Sequence, residues 1–257
     1  MKYKIMDSVR PKRKLGQHFL KDLNIARKIV DSLGAEPSAV LEVGPGMGVL
    51  TRFLLQREEF DVHAVEIDPE SVEYLQKHFQ ELKQKIYPHN FLKWDGNEMP
   101  EKFSIIGNFP YNISSQIFFR ILEWRNRVPE VVCMVQKEVA ERLSAGPGTK
   151  TYGILSVLLG AFYTIDYLFT VSEHVFIPPP KVKSAVIRLQ RNGVENLPCD
   201  EVLFFRIVKA AFGKRRKMLR NSLRELELEI PEEYAEKRPE QLSVADFIRL
   251  TAAVENR

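Results

Sequence analysis

Hydrophobic positions follow two alternating rhythms through the first two-thirds of the chain. Short apolar runs at 40–43, 62–67, 103–107 and 131–135, with a weaker one at 85–91, predict strands. Between them apolar side chains recur every three or four positions, which predicts amphipathic helices. Ile25, Ile29, Val30 and Leu33 form one such face after the capping residue Asp22, and Gly34 and Pro37 end that helix. Leu50, Phe53, Leu54 and Leu55 form a second, and Val72, Leu75, Phe79 and Leu82, opened by Pro69, a third. Further helices are expected at 113–124 and 154–162, then strands at 163–171 and 185–189 that close the sheet as an antiparallel hairpin. The linker 191–200 is polar and aperiodic, and beyond it the pattern is helical at 202–212, 214–226 and 243–254, the last with Ser243 and Asp246 spaced as a capping box. Strands alternating with helices make an α/β, Rossmann-like domain over 1–191, and the remainder a small all-α C-terminal domain over 192–257.

The stretch 40–51, VLEVGPGMGVLT, carries the most chemistry. A strand runs into Gly44-Pro45-Gly46-Met47-Gly48 and then into a helix, the opening of a unit that binds a nucleotide-like ligand at the carboxyl edge of a sheet. A dinucleotide fingerprint needs glycine at position 49, where the chain has Val49. Pro45 also removes an N–H from a loop that would otherwise cradle phosphate. A ligand with a ribose and no pyrophosphate fits better, and S-adenosylmethionine is the common one. Glu66, at the end of the next strand, can accept from both ribose hydroxyls. Asp95, in the turn 92–96, is expected over the same crevice, accepting from the exocyclic amine of an adenine. Alone, each of these turns is equally an ordinary tight connection.

Asn108-Phe109-Pro110-Tyr111, at the end of the 103–107 strand, sets an amide, a rigid turn and an aromatic ring at the crevice edge. An adenine N6 is a poor nucleophile because its lone pair is delocalised into the ring. Acceptors on the Asn108 side chain and the Pro110 carbonyl would hold its two N–H groups and favour a pyramidal, more nucleophilic nitrogen, with Tyr111 stacked on the base. Pro178, Pro179 and Pro180 impose an extended path that presents Phe176 as a second stacking surface for a flipped base. The Gly-rich loop 144–152, with Lys150, is a candidate substrate flap.

Charge adds a partner. The formal net charge is only +4, but residues 1–28 hold nine Lys/Arg against two Asp, and 206–220 hold seven with no acid. Two basic segments far apart in sequence suggest a positive face for a polyanion; each is also explicable as a solvated helix face. Cys133 and Cys199 have no metal or redox spacing, and the five histidines never pair at ligand spacing, so no metal is expected. No apolar segment is long enough to span a bilayer, so a cytoplasmic chain with reduced thiols and no membrane contact is expected.

Six ordered motifs carry a family resemblance: LGQHFL at 15–20, LEVGPGMGVLT at 41–51, VEID at 65–68, GNFPYNIS at 107–114, VFIPPPKVKSAV at 175–186 and AFGKRRKMLRNSL at 211–223. Over nearly its whole length the chain resembles the small-subunit ribosomal RNA adenine N6-dimethyltransferases. The resemblance implies an S-adenosylmethionine-dependent methyltransferase domain that releases S-adenosylhomocysteine. It implies two methyl transfers to each of two adjacent adenosines in the 3′-terminal hairpin of small-subunit rRNA, within an assembling 30S-type particle, by a monomer. Carried over by position, it assigns cofactor contacts to His18, Leu20, Gly44, Gly46, Glu66, Asp95 and Asn108. It gives the target base to Asn108, Pro110, Tyr111 and Phe176. It gives rRNA phosphates to Arg10, Lys12, Arg13 and Lys14 on the arm and to Lys214, Arg215, Arg216, Lys217 and Arg220 on the ridge. Two alternatives stay open: a dimethylase of large-subunit rRNA, and a mainly non-catalytic ribosome-assembly factor.

Overall fold

The structure, a computed structural model, describes residues 9–36 and 38–255; Lys2 and Lys4 of the basic segment and Pro37 lie outside the described residues. In chain order the first elements are β1 (Phe19–Leu20), α1 (Leu23–Val30), β2 (Ala39–Val43), α2 (Thr51–Leu54), β3 (Asp61–Val65), α3 (Pro69–His78), β4 (Ile86–Tyr87), β5 (Ser104–Asn108), α4 (Ser114–Glu123) and β6 (Glu130–Gln136). Then follow α5 (Lys137–Leu143), α6 (Ile154–Gly160), β7 (Tyr163–Val171), β8 (Phe176–Ile177), β9 (Ser184–Arg191), α7 (Glu201–Gly213), α8 (Leu219–Ser222), α9 (Glu232–Ala235) and α10 (Val244–Glu255).

Residues up to Ala140 form one compact unit with Asp166–Gln190, and Glu141–Ile165 forms a second with the chain from Arg191 onward. The expected division ran unbroken from 1 to 191. The segment 141–165 goes instead to the helical unit, because α6 buries Ser156, Val157, Leu158 and Leu159 and finds its partners in α7 and α10.

The first unit is built on a sheet of order β4-β3-β2-β5-β6-β9-β7. Its strands are parallel from β4 through β6 and antiparallel where β9 joins β6. All five residues of β2 are buried, as a strand covered on both faces requires. The chain enters the sheet at β2, with β3 on one side and β5 on the other. Winding reverses there, and a crevice opens outside the carboxyl ends of β2 and β5. The expected strand at 85–91 is only Ile86–Tyr87, since Pro88 follows and offers no N–H to continue the ladder. The strand pair expected at the edge is β7 beside β9, with a separate two-stranded ribbon, β1 antiparallel to β8, added by the arm. Asp22 caps α1 by accepting from Asn24 and Ile25 N–H.

In the second unit Asp200 caps α7, whose Phe204, Ile207, Val208 and Ala211 are buried, and Tyr152, Phe212 and Phe247 form a chain of aromatic contacts. The capping box of α10 is present: Ser243 Oγ accepts from Asp246 N–H, and Asp246 Oδ2 accepts from Ser243 N–H. The helix expected over 214–226 is broken. Gly213 ends α7, residues 214–217 turn, and only the short α8 and a 3-10 turn at Arg224–Leu226 follow. Four consecutive cations offer no apolar side chain to bury and repel one another in a helix. No helix among the described residues is long and apolar enough to cross a membrane.

Candidate active site

A cavity of about 230 Å³ lies at the carboxyl ends of β2 and β5, wholly within the first unit. Its walls are arm residues 14–19, the glycine turn, 65–67, 89–92 and 108–113. Gly44 and Gly46 have φ of 67° and 57°, the left-handed region that glycine adopts without strain. A Cβ on Gly46 would stand 2.7 Å from the Phe19 ring, whereas one on Gly44 would meet nothing within 4 Å, so the open space begins at Gly44.

Glu66 is 4% exposed on this wall. Its Oε2 accepts from Gly46 N–H at 3.1 Å and its Oε1 from Asp68 N–H at 2.8 Å. Each oxygen keeps a lone pair for a ligand hydroxyl. Burial raises its pKa, and these backbone N–H groups oppose the rise. Beneath the turn lies a second carboxyl that sequence reasoning gave no role. Glu42, 1% exposed inside β2, accepts from the Thr51 hydroxyl at 2.5 Å and ties β2 to α2. Burial pushes its pKa up to about 8, so it is protonated at neutral pH.

Asn108 ends β5, and its Nδ2 donates to the His18 carbonyl at 2.9 Å. The acceptor end of the amide is therefore the end left for the cavity that Asn108 lines. The Pro110 carbonyl accepts from Ile113 N–H at 3.2 Å and retains its second lone pair. The Tyr111 hydroxyl meets Ser184 Oγ at 2.5 Å, and its ring stacks on the His18 imidazole at 5.4 Å. His18 Nδ1 is 2.8 Å from the Pro178 carbonyl.

Three expected contacts are not at the cavity. Asp95 is exposed, turned onto the N–H and Nδ2 of Asn97. The chain leaves β4 at Tyr87 and turns at once, so Asn90, Phe91 and Leu92 form that wall instead. Phe176 is 1% exposed in the hydrophobic core, because in the β1–β8 ribbon it pairs with Leu20 on the inward face. Leu20 is buried in the same core, and the cavity lining stops at Phe19. Lys12 is also not a free cation: its ammonium pairs with Asp68 and, at 3.0 Å, with Glu70. Gln17 donates to the same Asp68. Burial works against the Asp68 charge, but Lys12 and Gln17 hold its pKa below the ordinary value. These partners are dozens of positions away along the chain, beyond any local pattern.

Arg10 and Arg13 are exposed, and Lys14, also exposed, borders the cavity. In the second unit Lys214 pairs with Glu225 and Arg220 with Glu236, while Arg215 donates to the Thr149 carbonyl in the loop 144–152. Arg216 and Lys217 are exposed and make no ion pair with the described residues.

The family model described as ribosomal RNA adenine dimethylase matches residues 9–252. The chain belongs to that family. Members are S-adenosylmethionine-dependent rRNA adenine methyltransferases, and the fold expected from sequence agrees with solved relatives. A protein of Cytophaga hutchinsonii named ribosomal RNA small subunit methyltransferase A is 56% identical over 254 residues, covering 96% of this chain and 98% of that one. One of the same name from Parabacteroides distasonis is 56% identical over 252 residues, covering 96% and 94%. Among solved structures, a dimethyladenosine transferase from Plasmodium falciparum superposes with a TM-score of 0.76 at 25% identity, covering 91% of this chain and 96% of that one. The 23S rRNA methyltransferase ErmE superposes at 0.68, also 25% identical, covering 91% and 99%. The residues present fit the family's methyl donor: the buried Glu66 carboxyl on the wall keeps lone pairs that hydroxyls of a ribose can meet, and the space opens where Gly44 lacks a side chain.

Proposed function

We propose that this chain dimethylates N6 of two adjacent adenosines in the 3′-terminal hairpin of small-subunit rRNA, on an assembling 30S-type particle. The observation that carries the reading is Asn108 and Tyr111 on the wall of the cavity that also holds Glu66. The naming of relatives 56% identical along 96% of the chain supports the small subunit as target.

S-adenosylmethionine supplies an electrophilic methyl group on a sulfonium and leaves as S-adenosylhomocysteine. Glu66 accepts from the ribose hydroxyls, and the Asn90–Leu92 wall, rather than Asp95, borders the adenine. Asn108 Oδ1 and the Pro110 carbonyl accept from the two N–H groups of the target N6. That holds the amine pyramidal, with its lone pair free to attack. Tyr111 stacks on the extruded base. No general base is required before transfer, because the alkylated amine is far more acidic and loses its proton to water afterwards. Of the cations assigned to rRNA, Arg10, Arg13, Lys14, Arg216 and Lys217 hold no ion pair among the described residues and are free to meet phosphates. An rRNA substrate in assembly supports a cytoplasmic site.

The test is transfer of labelled methyl from S-adenosylmethionine to undermethylated small subunits, with large-subunit RNA in parallel. Label confined to adjacent adenosines of the small-subunit hairpin is expected. Label on large-subunit RNA alone would move the chain to the activity named for ErmE. Tight binding without label would make it an assembly factor.

A further inference from the structure

Ser184 is wholly buried at the start of β9, opposite Gln136 of β6. It reaches past β6, which lies between β5 and β9 in the sheet, to the phenol of Tyr111 in the turn after β5. At 2.5 Å the two hydroxyls are close partners, and either can donate. A tyrosine ring has two torsions to fix. Its tip is held here by Ser184, and one face is braced by the His18 imidazole, with an interplanar angle of 24°. His18 is in turn anchored at the Pro178 carbonyl and by its own carbonyl to Asn108. Ser184 itself does not line the cavity.

We propose that Ser184 is a positioning residue for the methyl acceptor, pinning the Tyr111 phenol and so fixing the plane on which the target base stacks. The inference rests on the reading of Tyr111 as the stacking partner. A ring free to swing presents that plane only part of the time, so the acceptor spends less time in line for attack. Ser184 touches neither Glu66 nor the glycine turn, and the contact of Asn108 with the His18 backbone stays in place without its hydroxyl. Loss of the bond therefore affects RNA and leaves S-adenosylmethionine alone.

The experiment compares Ser184→Ala, Ser184→Thr, Tyr111→Phe and the double Ser184→Ala/Tyr111→Phe in methyl transfer to undermethylated small subunits. S-adenosylmethionine affinity and melting temperature are measured alongside. Each of Ser184→Ala and Tyr111→Phe is expected to lower kcat/KM for the small subunit roughly five- to tenfold, the loss of one hydrogen bond. Cofactor affinity is expected to stay at the wild-type level, and the double variant to be no worse than either single. Ser184→Thr keeps the hydroxyl and is expected to recover most of the loss. Wild-type kcat/KM in Ser184→Ala, or a double-variant defect equal to the product of the singles, overturns the inference. If Ser184→Ala does not fold, Tyr111→Phe removes the same bond from the other side, and wild-type kcat/KM there overturns it equally. A wild-type enzyme inert on small subunits would overturn the functional reading and this inference with it. An active enzyme with unaffected variants would overturn this inference alone.

Discussion

Two buried glutamates 24 positions apart, one on the cavity wall and one beneath its glycine turn, differ in how far their surroundings offset burial. Glu66 accepts from the backbone N–H groups of Gly46 and Asp68, whereas Glu42 has Thr51 alone, through its hydroxyl and its backbone N–H, and nearby Glu66 pushes its pKa up further. With little to offset burial, Glu42 holds its proton up to about pH 8, against an ordinary value of 4.5. The folded state then binds one more proton than the unfolded chain between those two values. The stability that the neutral form contributes is complete below about pH 4.5 and is lost as pH rises through 8. Glu42→Gln keeps an acceptor for Thr51 and cannot ionise. Relative to wild type, its unfolding free energy should rise with pH across that window, by up to about 1.4 kcal/mol per unit. Denaturant titrations at several pH values check this, and parallel profiles for the two proteins would refute it. Glu66→Ala makes the contrasting test: it should weaken S-adenosylmethionine by about 1–3 kcal/mol, through loss of the carboxyl acceptor for the ribose. Equal cofactor affinity measured calorimetrically in variant and wild type would remove Glu66 from the site.

At the scale of elements, the amino-terminal arm is the piece whose role changes most between sequence and structure. Its cations read as a row for phosphate, yet Lys12 is spent on Asp68 and Glu70 at the start of α3. Residues 14–19 line the cavity, and β1 pairs with β8. Lys12→Met should therefore loosen a wall of the cofactor site. The expected outcome is severalfold weaker S-adenosylmethionine binding with an unaltered salt dependence of RNA binding. The reverse pattern would return Lys12 to the phosphate-binding set. What the sequence made legible were elements with strong local signals: the largely apolar β2, the Asp22 and Ser243 caps, and the glycine turn into Thr51–Leu54. What it hid was set by register or by distant partners. Phe176 faces the core because a two-residue ribbon pairs it with Leu20. Asp95 misses the cavity because the chain turns eight residues earlier, directly after Tyr87. Ser184 and Tyr111, 73 positions apart, share no pattern at all.

On the scale of the whole molecule, the cavity and the arm cations lie in the first unit and the cationic turn after α7 in the second. Sequence located this turn as a continuous helical ridge of equal cations, but the structure makes them unequal. Lys214 and Arg220 already hold carboxylates, and Arg215 holds the Thr149 carbonyl. Arg216 and Lys217 have no such partner among the described residues, so they are the pair that can displace counterions from RNA without first breaking an internal bond. Each phosphate neutralised contributes about 0.7 to 0.9 to the slope of log K against log salt. Arg216→Ala/Lys217→Ala should therefore weaken binding to small subunits and flatten that slope by about 1.4 to 1.8. Lys214→Ala/Arg220→Ala should flatten it less, because those cations release fewer ions from the nucleic acid. Cofactor affinity should be unchanged in both, since no residue of the second unit lines the cavity. Binding titrations at four or five salt concentrations read all three quantities. Equal slopes for both double variants and wild type would mean that the turn does not face the RNA, and that the arm residues Arg10 and Arg13 carry the electrostatic contact instead.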